Sequence, residues 1–245
     1  MQPKDYLWFA VDVPSLEEAK RLVGPLIDLV PNVKVGLELI TAVGPAAVKY
    51  LQDLGVENIW YGADFAGATP TTVGAASRSA ANLGVSMFTV HPSCGALSLQ
   101  AAVRNKGTAK ALVTTVPAHV GYNDLVGIGY PTARGENISR LVEHMAEFAY
   151  GTGMNGVVCS PKELDQLCDN ELLEPWPKYV IGVRPKGVSS HEHKRWLTPG
   201  EAVRRGAAGF AMGRPITNPP PGMSRRDVIL RVYDEIAGAL AAVPA

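Results

Sequence analysis

The feature that most constrains the fold is a regular alternation of short apolar segments with amphipathic ones along the whole chain. The apolar segments contain many β-branched residues and little polar alternation, so they predict strands that are buried on both faces. They lie at 7–13, 33–39, 58–64, 87–92, 110–116, 156–160, 179–184 and 209–214. Buried strands that alternate with helices indicate a parallel sheet.

Helix signals fill the intervals between these strands. Ser15 before an acidic turn is typical of a helix start, and the segment 44–55 has Pro45 near its start and Gly55 at its end. Further helices are predicted at about 70–84, 95–107, 136–152, 161–169, 198–206 and 224–243. Eight such units predict one domain over 1–245, a TIM (β/α)8 barrel, with a doubly wound sheet as the alternative.

Charge and cysteine content narrow the class of function. Lys and Arg number 23, as do Asp and Glu, so no net charge attracts nucleic acid or an anionic membrane. The three cysteines, Cys94, Cys159 and Cys168, have no CxxC spacing, and neither a disulfide framework nor a zinc site is expected. No apolar run reaches the roughly 18 residues of a membrane helix, and the N-terminus does not fit a signal peptide. We therefore expect a cytoplasmic protein.

In a TIM barrel the chemistry lies at the carboxyl ends of the strands. The chemically active side chains that the pattern places there are Asp12, Lys34, Glu38, Asp64, His91, Arg184 and Arg214. Lys34 lies in an apolar strand, where an unpaired ammonium group is costly, so it needs either a partner or a function. Glu38, two pleats further on, is one candidate partner. Asp12 also fits a helix-capping carboxylate, and His91 also fits a core histidine.

The segment 61–73, YGADFAGATPTTV, leaves the third strand and enters the next helix, which is where a barrel enzyme keeps catalytic groups. It contains one carboxylate, Asp64, and neither lysine nor histidine. Its chemistry must therefore depend on a partner from another strand.

Several segments together resemble orotidine 5'-monophosphate decarboxylase and its superfamily, which includes ketogulonate-phosphate decarboxylases and hexulose-phosphate synthases. These segments are FAVDVPSLEEA, KVGLELI, GVSMFTVHPSCG, GTGMNGVVCSPKEL and the stretch from GVRPKG to GFAMGRPIT. They follow one another in the right order over nearly the whole chain. The resemblance implies a TIM barrel, a lyase for a phosphorylated substrate that needs no cofactor, and a homodimer whose third-strand loop completes the neighbour's site.

The resemblance also implies residue roles at the substrate. Asp12 matches the aspartate that holds ribose and base, and Lys34 matches a lysine of the catalytic network. Thr72 matches a threonine of the third-strand motif, Pro117 stands at a position that contacts the base, and His91 is assigned to substrate binding.

For the phosphate, the resemblance implies Arg184, Gly213 and Arg214, and it places His193 where the family has a phosphate-binding glutamine. The physical chemistry agrees for Gly213 and Arg214. A glycine lets the backbone approach a phosphate closely, and a guanidinium group forms charge-assisted bonds to it. His193 and His191 also form a His-x-His pair, but a polar loop or a phosphate contact explains them better than a metal site.

The sequence departs from the family motif D-x-K-x-x-D-I-P-x-T at the end of the third strand. Gly62, Asp64 and Gly67 stand at the three charged positions. In the family the central lysine donates the proton after decarboxylation, so this sequence puts an aspartate in place of the proton donor. We expect Asp64 and Lys34 to face each other across adjacent strands.

Three functions remain open for this arrangement. The first is a diverged lyase in which Asp64 acts as acid or base beside the ammonium of Lys34. The second is an isomerase or epimerase of a sugar phosphate in which Asp64 abstracts a proton next to a carbonyl group. The third is a binding protein that retains the phosphate site without catalysis, and a buried Lys34 argues against it. Activity on orotidylate itself is expected to be absent.

Overall fold

The computed structural model of the protein describes residues 1–130, 138–186 and 196–242. In it, eight parallel strands close into a barrel in chain order, with the first strand paired to the last. The strands are β1 Leu7–Val11, β2 Asn32–Val35, β3 Asn58–Phe65, β4 Met87–Val90, β5 Lys110–Thr114, β6 Val157–Cys159, β7 Lys178–Ile181 and β8 Gly209–Met212. The predicted TIM barrel is confirmed.

Helices surround this barrel. Those of the described residues are α1 Pro3–Tyr6, α2 Leu16–Val23, α3 Leu37–Val43, α4 Ala46–Asp53, α5 Pro70–Asn82, α6 Ala96–Asn105, α7 Tyr122–Gly127, α8 Ile138–Tyr150, α9 Leu164–Asp169, α10 Pro199–Arg204, α11 Arg214–Thr217 and α12 Arg225–Ala241. Ser15 caps α2 as predicted, because its hydroxyl accepts a hydrogen bond from the Glu18 amide. Thr69 caps α5 in the same way, through the Thr72 amide.

The predicted strand 33–39 is wrong beyond residue 35, because the chain turns at Gly36 and forms α3. The cause is Asp12, whose Oδ1 accepts hydrogen bonds from the amides of Glu38 at 2.8 Å and Leu39 at 3.3 Å. A β-carbon at Gly36 would lie only 2.2 Å from Asp12 Cγ, so the glycine makes room for this cap. Glu38 is therefore exposed on a helix and is not the partner of Lys34.

Side chains alternate between the two faces of the barrel wall. Outward-facing residues such as Phe9, Phe88 and Phe210 are fully buried against the helices. Inside the barrel, Trp8, Trp60 and Tyr179 form an aromatic layer with edge-to-face ring centroids 5.7 to 6.5 Å apart. This layer fills the lower part of the barrel, so polar groups can gather only at its two ends. No helix of the described residues is long and apolar enough to cross a membrane.

Candidate active site

A cavity of about 260 Å³ opens at the carboxyl ends of β1, β2, β7 and β8. Five of the predicted site residues line it, namely Asp12, Lys34, Arg184, Gly213 and Arg214. Its walls also include the apolar side chains of Ala10, Ile181 and Ala211. The cavity therefore combines three cationic groups with an apolar wall at the end of the barrel where the sequence predicted the chemistry.

Two arginines line this cavity. Arg184 is 4% exposed, and its backbone amide donates a 2.9 Å hydrogen bond to the carbonyl of Leu197. Arg214 is exposed and follows Gly213, where an added β-carbon would lie 3.4 Å from the carbonyl oxygen and the Cβ of Ala10. Those distances are ordinary van der Waals contacts, so the glycine brings the backbone of β8 close to β1 without a clash. Two guanidinium groups lining one cavity suit a phosphate group.

Lys34 enters the cavity from β2, directly above the aromatic layer. Its Nζ lies 5.6 Å from the centroid of the Trp60 ring, which is within the range of a cation–π contact. A β-carbon at Gly62 would lie only 2.5 Å from the same Nζ, so the ammonium group occupies the space above that glycine. Burial lowers the pKa of Lys34, while the charges of Asp64 and then Asp12 act in the opposite direction.

Asp64 sits at an irregularity of β3, where the pairing with β4 shifts register between Tyr61 and Phe65. Its φ is 47°, a left-handed conformation that aspartate tolerates better than most residues. Its amide donates a 3.1 Å hydrogen bond to Thr89 Oγ1, and its Oδ1 accepts a 2.7 Å hydrogen bond from Thr114 Oγ1. The Thr89 hydroxyl therefore fixes the backbone of Asp64, and the Thr114 hydroxyl fixes its carboxylate, near Lys34 and His91.

His91 follows β4, and its Nδ1 accepts a 3.2 Å hydrogen bond from the Ser93 amide. A ring nitrogen that accepts from an amide carries no proton, so a neutral His91 has its proton on Nε2. Burial lowers the pKa of His91, and the charge of Asp64 acts in the opposite direction. In its neutral form the side chain therefore offers a donor at Nε2.

The other predicted site residues, Asp64 and His91 among them, are not part of the cavity lining. Thr72 is exposed in the first turn of α5, with its hydroxyl 3.1 Å from that of Thr69, and Pro117 is exposed after β5. His193 lies outside the described residues, so its predicted contact with the phosphate stays a prediction.

Asp12 caps α3, which is one of the two roles that the sequence allowed, and it also lines the cavity. The sequence reasoning missed Thr89 and Thr114, because hydroxyl residues inside apolar strands match no motif. Their inward position at strand ends is the one signal that could have identified them. In residues 1–130, 138–186 and 196–242, no three His, Cys, Asp or Glu side chains form a group that could hold a metal ion.

The chain is similar to known proteins over most of its length. A model of the "Orotidine 5'-phosphate decarboxylase / HUMPS family" matches residues 5–222. The chain is 36% identical over 233 residues to an orotidine 5'-phosphate decarboxylase of Moorella thermoacetica, covering 90% of this chain and 88% of that protein. It is also 36% identical over 235 residues to the enzyme of that name from Anaeromyxobacter sp., with 90% and 94% covered.

Among solved structures, the chain resembles an orotidine 5'-phosphate decarboxylase from Lactobacillus acidophilus with a TM-score of 0.78. That alignment covers 95% of this chain and 99% of the other at 24% identity, which is evidence for the shared barrel fold.

Proposed function

The chain belongs to the orotidine 5'-phosphate decarboxylase / HUMPS family, and from that premise we propose that it is a lyase acting on a phosphorylated substrate. The proposal rests on one observation, which is that Arg184, Arg214 and Lys34 line the same cavity. The two guanidinium groups bind the phosphate. The ammonium of Lys34 then lies where charge develops on the rest of the substrate.

In a decarboxylation the bond between the substrate carbon and its carboxylate breaks, and carbon dioxide leaves. The electron pair stays on the carbon, which then takes up a proton. Lys34 stabilises that negative charge. Asp64, in its protonated form, donates the proton to the carbon and takes up another from solvent after product release. The apolar side chains of Ala10, Ile181 and Ala211 lower the polarity of the cavity wall, and electrostatic effects are stronger beside a less polar wall.

We further propose that the substrate is a nucleoside monophosphate or sugar phosphate other than orotidylate. The family motif has aspartates and a lysine where this chain has Gly62, Asp64 and Gly67. An aspartate at 62 would not fit beside Lys34 in its present position, because even a β-carbon there would lie 2.5 Å from Nζ. The family's arrangement of alternating charges is therefore replaced by one carboxylate and one ammonium group.

The test is a turnover assay at high protein concentration with orotidine 5'-monophosphate and a panel of other nucleoside and sugar monophosphates. We expect loss of carbon dioxide from a member of the panel other than orotidylate. Arg214→Met should lower the affinity for that substrate at least tenfold, and Lys34→Met should abolish turnover. A family-like rate on orotidylate would refute the substrate proposal, and binding without turnover of any member would refute the lyase.

A second function, an isomerase or epimerase of a sugar phosphate, is favoured by His91. A neutral imidazole that donates from Nε2 can polarise a carbonyl group while a carboxylate such as Asp64 removes the neighbouring proton. This reaction exchanges a carbon-bound proton with solvent and conserves the substrate's atoms. Incorporation of solvent deuterium into a sugar phosphate, with no release of carbon dioxide, would select it over the lyase.

We also propose that the protein is a homodimer in which the loop after β3 faces the partner's site. Thr72 supports this, since it is exposed near that loop and does not line the cavity of its own subunit. Light scattering should give twice the 26.0 kDa of one chain. Mixing Thr72→Arg with Lys34→Met subunits should then restore activity in part, because one site of each mixed dimer is intact.

A further inference from the structure

Lys178, the first residue of β7, shows how this barrel holds a lysine that only supports the fold. The residue is 2% exposed, and its Nζ donates hydrogen bonds to the carbonyls of Leu173 at 2.6 Å and Glu174 at 2.7 Å. These two acceptors stabilise the ammonium form, and burial keeps a ligand away from it.

Lys34 lies on an apolar strand as well, but its surroundings are different. Among the described residues, its ammonium group takes part in no hydrogen bond and no salt bridge. Its Nζ lies over the face of the Trp60 ring, and Asp64 and Asp12 act on it only through their charges. No acceptor therefore fixes the protons of this group as the two carbonyls do for Lys178.

The amino group of Lys34 is also open to a ligand. Lys34 is half-buried and lines the same cavity of about 260 Å³ as Arg184 and Arg214. Gly62 leaves the space around the amine free of a side chain, since a β-carbon there would lie 2.5 Å from Nζ and 2.9 Å from Cε. A molecule whose phosphate is bound by the two guanidinium groups therefore shares its cavity with this amine.

A lysine in such a setting is suited to nucleophilic attack. Burial lowers the pKa of Lys34, against the opposing charges of Asp64 and then Asp12. A lower pKa increases the fraction of the neutral amine, which is the nucleophilic form. Lysines that are desolvated in apolar pockets use this form to attack carbonyl groups.

We propose that Lys34 is a nucleophile that forms an imine with the ketone group of a phosphorylated substrate. This inference deepens the proposed lyase and rests on its phosphate-binding cavity. The neutral amine attacks the carbonyl carbon, and one proton moves from the nitrogen to the carbonyl oxygen. The resulting hydroxyl group takes one further proton from solvent and leaves as water, so a positively charged iminium group remains.

The iminium group then accepts the electrons that the lyase reaction releases. The substrate carries its carboxylate on the carbon next to the imine carbon. Loss of carbon dioxide leaves the electron pair in a new carbon–carbon double bond and makes the nitrogen neutral. Asp64 donates a proton to the carbon, which restores the iminium group, and water hydrolyses it to the ketone product and lysine. The positive charge thus lies where the proposed function places the Lys34 ammonium.

The test incubates the full-length protein with dihydroxyacetone phosphate, a small phosphorylated ketone, and with sodium cyanoborohydride, which reduces an imine to a stable secondary amine. Intact mass spectrometry counts the adducts, and peptide mapping locates them. We expect a single adduct per chain, at Lys34. Dihydroxyacetone, which lacks the phosphate, should label Lys34 at least tenfold more slowly, and inorganic phosphate should slow the labelling by its ester.

Arg214→Met should slow the labelling of Lys34 at least tenfold, whereas Lys20→Met, which removes an exposed lysine from α2, should leave it unchanged. Adducts confined to other lysines, or equal labelling of Lys34 by the ketones with and without phosphate, would overturn the inference. Turnover of a panel member by a protein that gives no Lys34 adduct would overturn the inference and leave the lyase standing. An adduct at Lys34 in a protein that turns over no panel member would support the imine and refute the lyase.

Discussion

Thr114 and Asp64 are 50 residues apart in the chain and meet at the mouth of the barrel, where the threonine hydroxyl donates a 2.7 Å hydrogen bond to the carboxylate. Their strands, β5 and β3, are not neighbours, because β4 lies between them. Thr89 of β4 accepts the hydrogen bond of the Asp64 amide. Three strands therefore cooperate in placing one carboxylate, which is a stronger constraint than a loop residue usually has.

Thr114→Val should destabilise the protein by about 1 kcal/mol, because it keeps the side-chain shape and removes one hydrogen bond to a partly buried charge. Urea unfolding of both proteins measures the change. Thr114→Ser keeps the hydroxyl group and serves as the matched control, with a free energy of unfolding within about 0.5 kcal/mol of that of Thr114. Equal stability of the valine and serine variants would show that the bond contributes nothing.

Substitutions of Asp64 should separate its backbone role from its chemical role. Asn tolerates the left-handed φ of 47°, whereas Ala does not, so Asp64→Ala should be about 1 kcal/mol less stable than Asp64→Asn. Both variants lack the carboxylate, and both should lose at least a hundredfold in turnover of whichever substrate the panel identifies. Retained turnover in Asp64→Asn would remove Asp64 from the mechanism.

Gly62→Ala should disturb Lys34 more than it disturbs the fold. The new β-carbon would lie 2.5 Å from Nζ, at the far end of a flexible side chain that can move away, and 3.1 Å from the backbone oxygen of Val35. We expect about 1 kcal/mol of destabilisation but at least a tenfold loss of turnover, with a changed NMR signal of the Lys34 side chain. Gly24→Ala is the control, because its φ is −50° and no atom lies within 4 Å of the added carbon.

The barrel could be predicted because buried parallel strands leave a local pattern, apolar on both faces, that repeats in every unit. The strand-end rule likewise brought Lys34, Arg184 and Arg214 to one place. It failed at residues 36–39, where the apolar pattern continues through KVGLELI although the structure turns into a helix. The turn depends on Asp12, an acceptor from another strand, and no local pattern contains that information.

The finer parts of the site were unpredictable for the same reason. The left-handed φ of Asp64 arises where the pairing of β3 with β4 shifts register, and Thr89 and Thr114 act from two other strands. The position of Lys34 depends on Gly62, which has no side chain to fill the space of the ammonium group, and on the ring of Trp60 beneath it. Each of these is a relation between strands that only the closed barrel creates.

The lowered pKa of Lys34 predicts a pH dependence of stability with a definite sign. Between the lowered pKa of the folded state and the ordinary value of 10.5, the unfolded chain binds more protons at this group than the folded protein does. The contribution of Lys34 to the free energy of unfolding therefore rises with pH through this window and is constant below it. Burial makes the charged lysine a cost to the fold, and deprotonation removes that cost.

Urea unfolding of the native protein and of Lys34→Met from pH 7 to about pH 10.5 tests this prediction. Tyrosine and cysteine side chains of the unfolded chain also lose protons in this range, but they contribute alike to both proteins and cancel in the difference. The free energy of unfolding of the native protein minus that of Lys34→Met should rise with pH. The corresponding difference for Lys20→Met should not change with pH. In an Asp64→Asn background the rise should begin at lower pH, because the charge of Asp64 is the largest influence that raises the pKa of Lys34. A rise that is unchanged by Asp64→Asn would mean that the two groups do not interact.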